Sequence, residues 1–163
     1  MDLLSLIPDN ISEVLARIIQ FTDLRRRILQ RNMREIDTPG YLSRDMPVRE
    51  FAELLNTAIA EHLQSRRLLF RDTPNIKFGA HSSMQIRPIP DTSAQAALQR
   101  NRGAYIELQV NKLLENALNR RVAEELFRQK CGMCPAVPQA SLDAMLAGDG
   151  PNENSSAHFD MAD

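Results

Sequence analysis

The segment Asn32 to Tyr41, NMREIDTPGY, lies between a long helical pattern and a less regular region, and it decides where the first helix ends. Pro39 disfavours helical geometry at the preceding residue, Thr38, and has no backbone N–H to donate. Gly40 can adopt the positive φ that a tight turn requires at that point. The sequence therefore predicts that the first helix stops near Asp37.

Upstream of this turn, apolar residues recur at spacings of three and four, which is typical of one face of an amphipathic helix. They are Ile11, Val14, Leu15, Ile18, Phe21, Ile28, Leu29, Met33 and Ile36. The other face carries six arginines: Arg17, Arg25, Arg26, Arg27, Arg31 and Arg34. We expect this basic side to face solvent or a partner.

Two further helices are predicted downstream of the turn. The first runs from about Val48 to Leu63, with Pro47 near its start, where a missing N–H costs little. The second runs from about Ala104 to Lys130 and carries a broad apolar stripe.

The region between Asp72 and Arg102 has no helical periodicity. Prolines and a glycine interrupt two short extended pieces, Asn75 to Phe78 and Met84 to Ile89, so this stretch is expected to be irregular and mobile. The residues after Cys134 are rich in Pro and Gly and poor in apolar residues. They are expected to be disordered, apart from a turn of helix at Leu142 to Leu146.

The predicted fold is mainly α, with N- and C-terminal amphipathic helices, one short additional helix, an irregular middle and a disordered C-terminal tail. Residues 1-41 form the N-terminal helix and turn, 42-103 the short helix and middle region, 104-134 the C-terminal helix and 135-163 the acidic tail. The chain has six Phe, two Tyr and no Trp for a core. The two long stripes are therefore expected to be buried in a coiled-coil pair, against neighbouring subunits, or both.

Composition excludes several classes of protein. Apolar runs stay well short of the roughly 18 residues that a membrane span needs, and Met1 to Ile11 has no basic n-region, which argues against a cleaved signal. All 20 Lys and Arg residues lie at or before Lys130, with 16 of the 21 acidic residues, whereas the tail has five acidic residues and no basic one. Neither part has the charge expected of a nucleic-acid-binding protein.

The chain offers little catalytic chemistry. Cys131 and Cys134 have C-x-x-C spacing, but a redox site would need a βαβ context and a zinc site would need two more ligands, for which only His81 and His158 could be written down. Unpaired thiols or a local disulfide are favoured. Phosphate-loop, dinucleotide, zinc-protease and serine-hydrolase motifs are absent from the sequence. We therefore expect no enzyme activity, cofactor or metal.

The segment Asn32 to Tyr41 resembles the N-terminal signature of bacterial flagellar rod and hook proteins, in which a helix ends in an Asn-rich turn followed by Asp/Thr-Pro-Gly-Tyr. This chain keeps Asn32 and the whole DTPGY sequence. It departs from the pattern at Arg34, where the family usually has Ala, and at Glu35, where it usually has a second Asn.

Near the other end, Leu114 to Leu118 and Glu124 to Lys130 look like the C-terminal helix of the proximal-rod members of this family. Three residues differ from that pattern, since Gln109 and Val110 replace Glu-Met and Arg120 replaces an aromatic residue. The resemblance covers roughly residues 11–65 and 104–134, and it implies a divergent member.

The resemblance implies a structural subunit of the proximal rod of the flagellar basal body, required for flagellum assembly and motility. Such a subunit is exported without a cleaved signal by the flagellar type III export apparatus and packs into the periplasmic rod. Its partners are copies of itself, other rod subunits, and basal-body ring and adaptor proteins. The terminal helices are expected to be poorly ordered in the monomer and to pair as a coiled coil on assembly.

The resemblance also implies an assembly interface. Its residues are Ile18, Phe21, Ile28, Leu113, Ala117 and Leu118 in the helix seam, with Asn32, Asp37, Thr38, Pro39, Gly40, Tyr41 and Asn116. An alternative stays open, in which the chain is a cytoplasmic helical interaction or regulatory protein linked to a metal through Cys131 and Cys134.

Overall fold

The computed structural model describes residues 10–80 and 83–132, the last two by their backbone alone. The described residues form four helices: α1 (Asn10–Arg34), α2 (Val48–Ser65), α3 (Thr92–Arg100) and α4 (Arg102–Gly132). They also form four short strands: β1 (Arg44–Asp45), β2 (Ile76–Phe78), β3 (Met84–Ile86) and β4 (Ile89–Pro90). The fold is thus mostly helical with two small antiparallel sheets.

Each sheet has two strands. In one, β2 pairs with β3 as a hairpin in which Ile76 lies opposite Ile86. In the other, β1 pairs with β4 across a long stretch of sequence, and Arg44 lies opposite Pro90. This second sheet ties the chain just after the Pro39-Gly40 turn to the chain just before α3.

Helix α1 packs against other parts of the fold on two flanks. On one flank Val14 and Phe21 belong to the main core, which also contains Met46, Phe51, Leu54, Leu55, Ile76 and Met84. On the other flank Leu15 and Ile19 pack against Ala123 of α4, with Phe127 beside them. Burying such side chains stabilises the fold by about 1.5–3 kcal/mol each.

Aromatic rings join α1 to the middle of the chain. The rings of Phe21 and Phe51 are stacked with centroids 4.0 Å apart. The guanidinium of Arg17 lies 5.4 Å from the ring centroid of Phe70 and 5.3 Å from that of Phe78, close enough for cation–π attraction. The region around the hairpin is therefore fastened to the first helix.

A polar corner joins α3 to α4. The Asp91 carboxylate accepts a hydrogen bond of 3.0 Å from the Ala94 N–H and so caps α3. Asn101 is extended, and its side chain accepts a bond of 2.7 Å from the N–H of Ala104 in the first turn of α4. The small side chains of Ala94 and Ala97 pack around Tyr105.

The structure confirms some of the sequence predictions and contradicts others. The mainly α class and the three long helical patterns are confirmed, and strands β2 and β3 lie within the two predicted extended pieces, but the expectation that the stretch 72–102 as a whole is irregular was wrong. The prediction of only one short additional helix was also wrong, because both α2 and α3 are present. Helix α3 was missed because nine residues with two buried alanines give almost no apolar periodicity. The predicted disordered tail, 135–163, lies outside the described residues, and coiled-coil pairing stays a prediction.

The expected basic face of α1 was also partly wrong. Arg17 and Arg25 are buried, with 6% and 5% of their surface exposed, whereas Arg26 and Arg27 are exposed as expected. Arg17 lies on the aromatic rings, and Arg25 lies against a carboxylate of β1. Tertiary contacts, which a helical pattern cannot reveal, bury both side chains.

Candidate functional site

The turn after α1 has the geometry that its sequence predicts. The Tyr41 N–H donates to the Thr38 carbonyl over 3.1 Å, and Gly40 has φ +76°, so Pro39 and Gly40 occupy the two central positions of a tight turn. A Cβ built on Gly40 meets no atom within 4 Å. The requirement for glycine is therefore conformational and not steric.

Glu35, one of the departures from the family pattern, is used in this turn. Its carboxylate accepts a hydrogen bond of 2.8 Å from the Thr38 hydroxyl, and its backbone carbonyl accepts one of 2.9 Å from the Thr38 N–H. The end of the helix is thus satisfied locally by a carboxylate at the position where the resemblance leads one to expect an amide.

Asn32 is the centre of the contacts that hold the turn. Its side-chain oxygen accepts hydrogen bonds from the Tyr41 hydroxyl at 2.9 Å and from the Arg44 N–H at 3.3 Å. Its side-chain nitrogen donates to the Arg44 carbonyl at 2.7 Å and to the Gln109 side-chain oxygen at 3.2 Å. Asn32 is fully buried, so each bond is made without competition from water.

Tyr105 of α4 completes this group. Its hydroxyl donates to the Asn32 backbone carbonyl over 3.1 Å and lies 2.7 Å from the Ser43 hydroxyl. Burial raises the pKa of Tyr105, as does the charge of Asp91, although the bond from Ser43 opposes them. We call Asn32, Tyr41, Ser43, Tyr105 and Gln109 the Asn32 junction, since these residues join α1, the turn and α4.

A charged cluster lies beside the junction. Arg25 donates two hydrogen bonds to the Asp45 carboxylate, at 2.9 and 3.1 Å. The Lys112 ammonium of α4 donates to Asp45 at 3.1 Å and to Asp91 at 2.6 Å. These four residues, the Lys112 cluster, pair two cations with two anions, which buried charges require. The cluster links α1, β1, the start of α3 and α4.

The Asp91 carboxyl has opposing influences on its pKa. Burial raises the pKa, but hydrogen bonds from Lys112, from the Ser93 hydroxyl and from the Ala94 N–H lower it by more. The net pKa lies below the ordinary value for Asp. Asp91 is therefore held as a carboxylate that both caps α3 and binds the α4 lysine.

Further along, α1 and α4 are joined by polar pairs. The Asn116 side chain donates to the Thr22 carbonyl over 2.7 Å, and Arg120 donates to Asp23 over 2.7 Å. Burial raises the pKa of Asp23, but bonds from Arg26 and Arg120 bring it below its ordinary value. Because low-numbered residues of α1 contact high-numbered residues of α4, the two helices are antiparallel.

The outer contact of the turn is an ion pair. The two terminal guanidinium nitrogens of Arg102 donate hydrogen bonds to the Asp37 carboxylate, the one from Nη2 at 3.0 Å, although both side chains are exposed. Exposed pairs contribute at most about 1 kcal/mol. This pair helps to place the turn beside the first residue of α4.

The predicted interface residues differ in their burial within the single chain. Phe21 is buried, and Ile18 and Ile28 are partly buried, all three against the main core. Asn32 and Asn116 are buried in polar contacts, Tyr41 and Leu113 are half-buried, and Asp37, Thr38, Pro39 and Gly40 form the exposed turn. Ala117 and Leu118 are exposed, so the single chain does not place them against Phe21 or Ile28. As contacts between subunits, these residues stay a prediction.

The outward side of α4 carries a row of exposed apolar residues. They recur every four positions: Val110, Leu114, Leu118, Val122 and Leu126, with 39%, 59%, 65%, 59% and 46% of their surfaces exposed. We call this row the α4 ridge. Such an extended apolar surface is typical of an interaction site.

Sequence reasoning missed Asp45, Asp91, Tyr105 and Lys112, which together with Asn32 hold the site. One signal was available for Asp91, because Asp followed by Thr92-Ser93 and an Ala-rich stretch is a helix N-terminus. The other three act through contacts between distant segments and have no local signature.

Metal-binding groups and membrane-spanning helices can be sought only among the described residues. They contain no group of three or more His, Cys, Asp or Glu residues placed to hold a metal ion. Cys134, His81 and His158 lie outside them, so the Cys131/Cys134 hypothesis stays open. No helix in the described ranges is long and apolar enough to cross a membrane.

No family model, curated protein or solved structure matches the chain. The similarity to flagellar rod proteins thus rests on the residues named above and stays a prediction.

Proposed function

We propose that the chain is a structural subunit of the proximal rod of the bacterial flagellar basal body and is required for flagellum assembly and motility. The proposal rests on the contact between the two parts of the chain that resemble the family. Asn32, from the N-terminal signature, is bonded to Tyr105 and Gln109, which lie within residues 104–134, and Asn116 of the Leu114 to Leu118 segment donates to the Thr22 carbonyl of α1. Both segments therefore belong to one structural unit.

The α4 ridge supplies a surface for packing between subunits. Its apolar side chains project from a helix that is already fixed on its inner side by Tyr105, Gln109 and Asn116, so the ridge needs little reordering to bind. Residues four apart form ridges that fit the grooves of a neighbouring helix. Repeated contacts between different surfaces of identical subunits produce open helical assemblies.

The proposal includes the partners and the location. Copies of the chain and other rod subunits cover the α4 ridge, ring and adaptor proteins contact the assembled rod, and the type III export apparatus delivers the subunit to the periplasm. Pairing of the N- and C-terminal helices as a coiled coil on assembly belongs to the same proposal.

The test replaces two ridge residues in the chromosomal gene. Leu118→Asp with Val122→Asp places two charges where a neighbour would bury apolar surface, and we expect loss of swimming and loss of the subunit from purified basal bodies. The matched control is Leu63→Asp on α2, which is 71% exposed and lies off the ridge. Circular dichroism of both purified variants checks that the fold survives. Normal motility of a folded ridge variant would refute the proposed role of the ridge, and normal motility of a strain lacking the gene would refute the function.

A further inference from the structure

A groove runs beside the α4 ridge, between α4 and the exposed side of α1. Its apolar lining comes from Val110, Leu113, Leu114 and Ala117. Its charged lining comes from four arginines, Arg26, Arg120, Arg121 and Arg128, and from two glutamates, Glu124 and Glu125. The groove therefore combines apolar surface with an excess of positive charge.

Arg121 is the arginine left to bind an added anion. Arg26 and Arg120 donate to Asp23, and Arg128 donates to Glu125. Arg121 lies next to Val122, is exposed, and has no carboxylate partner within 10–80 and 83–132. An occupant that places apolar side chains on Leu118 and Val122 would bring a flanking carboxylate close to this guanidinium.

The chain itself contains a segment of matching chemistry. Residues 139–147, QASLDAMLA, place Leu142, Met145 and Leu146 at spacings of three and four, with Ser141 as an N-cap residue and Gly148 as a stop signal. Asp143 flanks the apolar positions. The whole tail after Lys130 has five acidic residues and no basic one.

The distances along the chain permit this segment to return to the ridge. The described part of α4 reaches Gly132, and the next six residues, 133–138, would span at most about 20 Å if extended. At a rise of about 1.5 Å per residue, Leu126 lies about 9 Å and Leu118 about 21 Å back along α4 from Gly132. Residues 139–147 can thus lie over the ridge between Leu118 and Leu126.

We propose that residues 139–147 dock on the α4 ridge of the same chain, with Leu142, Met145 and Leu146 on Leu118 and Val122 and the Asp143 carboxylate beside Arg121. The tether gives the segment an effective concentration of roughly millimolar order, so even a weak intrinsic affinity produces docking. A symmetric pair of whole chains would instead bring each arginine-lined groove against its own copy. The acidic tail therefore complements the groove better than a second ridge does.

Docking of the tail is independent of the proposed function, because it concerns the isolated chain. In the rod, where the proposed function holds, a neighbouring subunit would have to displace the tail. The tail would then delay association of free subunits until they reach the assembly site.

The experiment uses the full chain with isotope-labelled Leu and Val methyl groups. The variant Leu142→Asp with Met145→Asp removes the docking residues, and Phe159→Asp with Met161→Asp, also in the tail, is the matched control. We expect the docking variant to shift the methyl signals of Leu118 and Val122 and to lower the amide-exchange protection of residues 118–126 below that of the unmodified chain, to the level that packing of α4 on α1 alone provides. The control should leave both unchanged.

Two further measurements identify the occupant. In the unmodified chain the Leu118 and Val122 signals should not change on dilution, and added salt should move them toward those of the docking variant, because salt screens the charges of the tail and the groove. Signals that change on dilution and do not respond to Leu142→Asp with Met145→Asp would overturn the proposal in favour of a second copy. Identical spectra for the docking variant and the unmodified chain would also overturn it.

Discussion

The hydroxyl of Tyr41 donates a hydrogen bond of 2.9 Å to the side-chain oxygen of Asn32, across the turn that ends α1. The same asparagine holds the backbone of Arg44 and the side chain of Gln109. The position of β1, and of everything that β1 fixes, thus depends on one buried amide.

Asn32→Ala should destabilise the protein strongly. The substitution leaves the Tyr41 hydroxyl and the Gln109 side chain without their partner in a buried site, which costs about 2–4 kcal/mol in the free energy of unfolding. Urea denaturation measures the change. Asn111→Ala, at an exposed position of α4, is the control and should change the free energy by less than about 0.5 kcal/mol. Equal effects at the two positions would contradict the role of Asn32.

Gly40→Ala should destabilise the protein through its backbone alone. At φ +76° an alanine is strained by about 1–2 kcal/mol, although no atom lies near its Cβ. Gly40→Asn should have a smaller effect, because Asn tolerates the left-handed region better than Ala does. Thermal unfolding measures the loss of stability in each variant and shows which loss is larger. If Asn proved as harmful as Ala, a contact and not the φ angle would be responsible.

The stability of the protein should fall in acid through Asp91. Its folded-state pKa lies below the ordinary value, so its stabilising contribution is present above the unfolded-state pKa of about 3.9 and is lost as the pH falls through the folded-state pKa. In Asp91→Asn the side chain still caps α3 but has no charge, so the acid-dependent loss should become smaller.

Denaturant unfolding between neutral pH and about pH 2 measures this difference, in the range where native carboxylates are protonated. The control is Glu107→Gln, at an exposed position of α4, which should keep the pH dependence of the unmodified chain. A pH profile of Asp91→Asn that coincides with the control would exclude Asp91 as a source of the acid sensitivity.

Arg66→Gly should stabilise the protein slightly. Arg66 ends α2 with φ +58° and is the one non-glycine residue with positive φ in the described ranges. Glycine removes the strain of about 1–2 kcal/mol but adds unfolded-state entropy, so we expect a net gain of up to about 1 kcal/mol. Arg67→Gly, one residue later, lacks this strain and should give no gain. Melting temperatures of the two variants decide the matter.

Local signals in the sequence predicted several features correctly. Proline and glycine restrict φ within a few residues, so Pro39 and Gly40 revealed the end of α1 and the turn conformation. The apolar spacing from Val48 onward revealed α2, which extends only two residues further than predicted. These features depend on short-range geometry that a single sequence contains.

Features that depend on distant contacts could not be predicted in this way. Arg25 is buried because Asp45 lies opposite it, and Lys112 is half-buried because β1 and the start of α3 bring two carboxylates together. Tyr105 is buried by Ala94 and Ala97, whose small side chains carry no apolar pattern of their own. Leu118 was predicted to lie in the helix seam, but it is exposed in the single chain, because periodicity shows that a face is apolar without showing which neighbour covers it.

The seam between α1 and α4 is held by directional bonds at Asn32, Asn116 and Arg120, together with the apolar contact at Ala123. A slide of one helix along the other by one turn, about 5.4 Å, would separate all of these donors from their acceptors at once. A force applied along the helix axes is therefore shared by all of these bonds at the same time. The helix pair should therefore keep one register under shear. It should separate in a single step once these bonds break together.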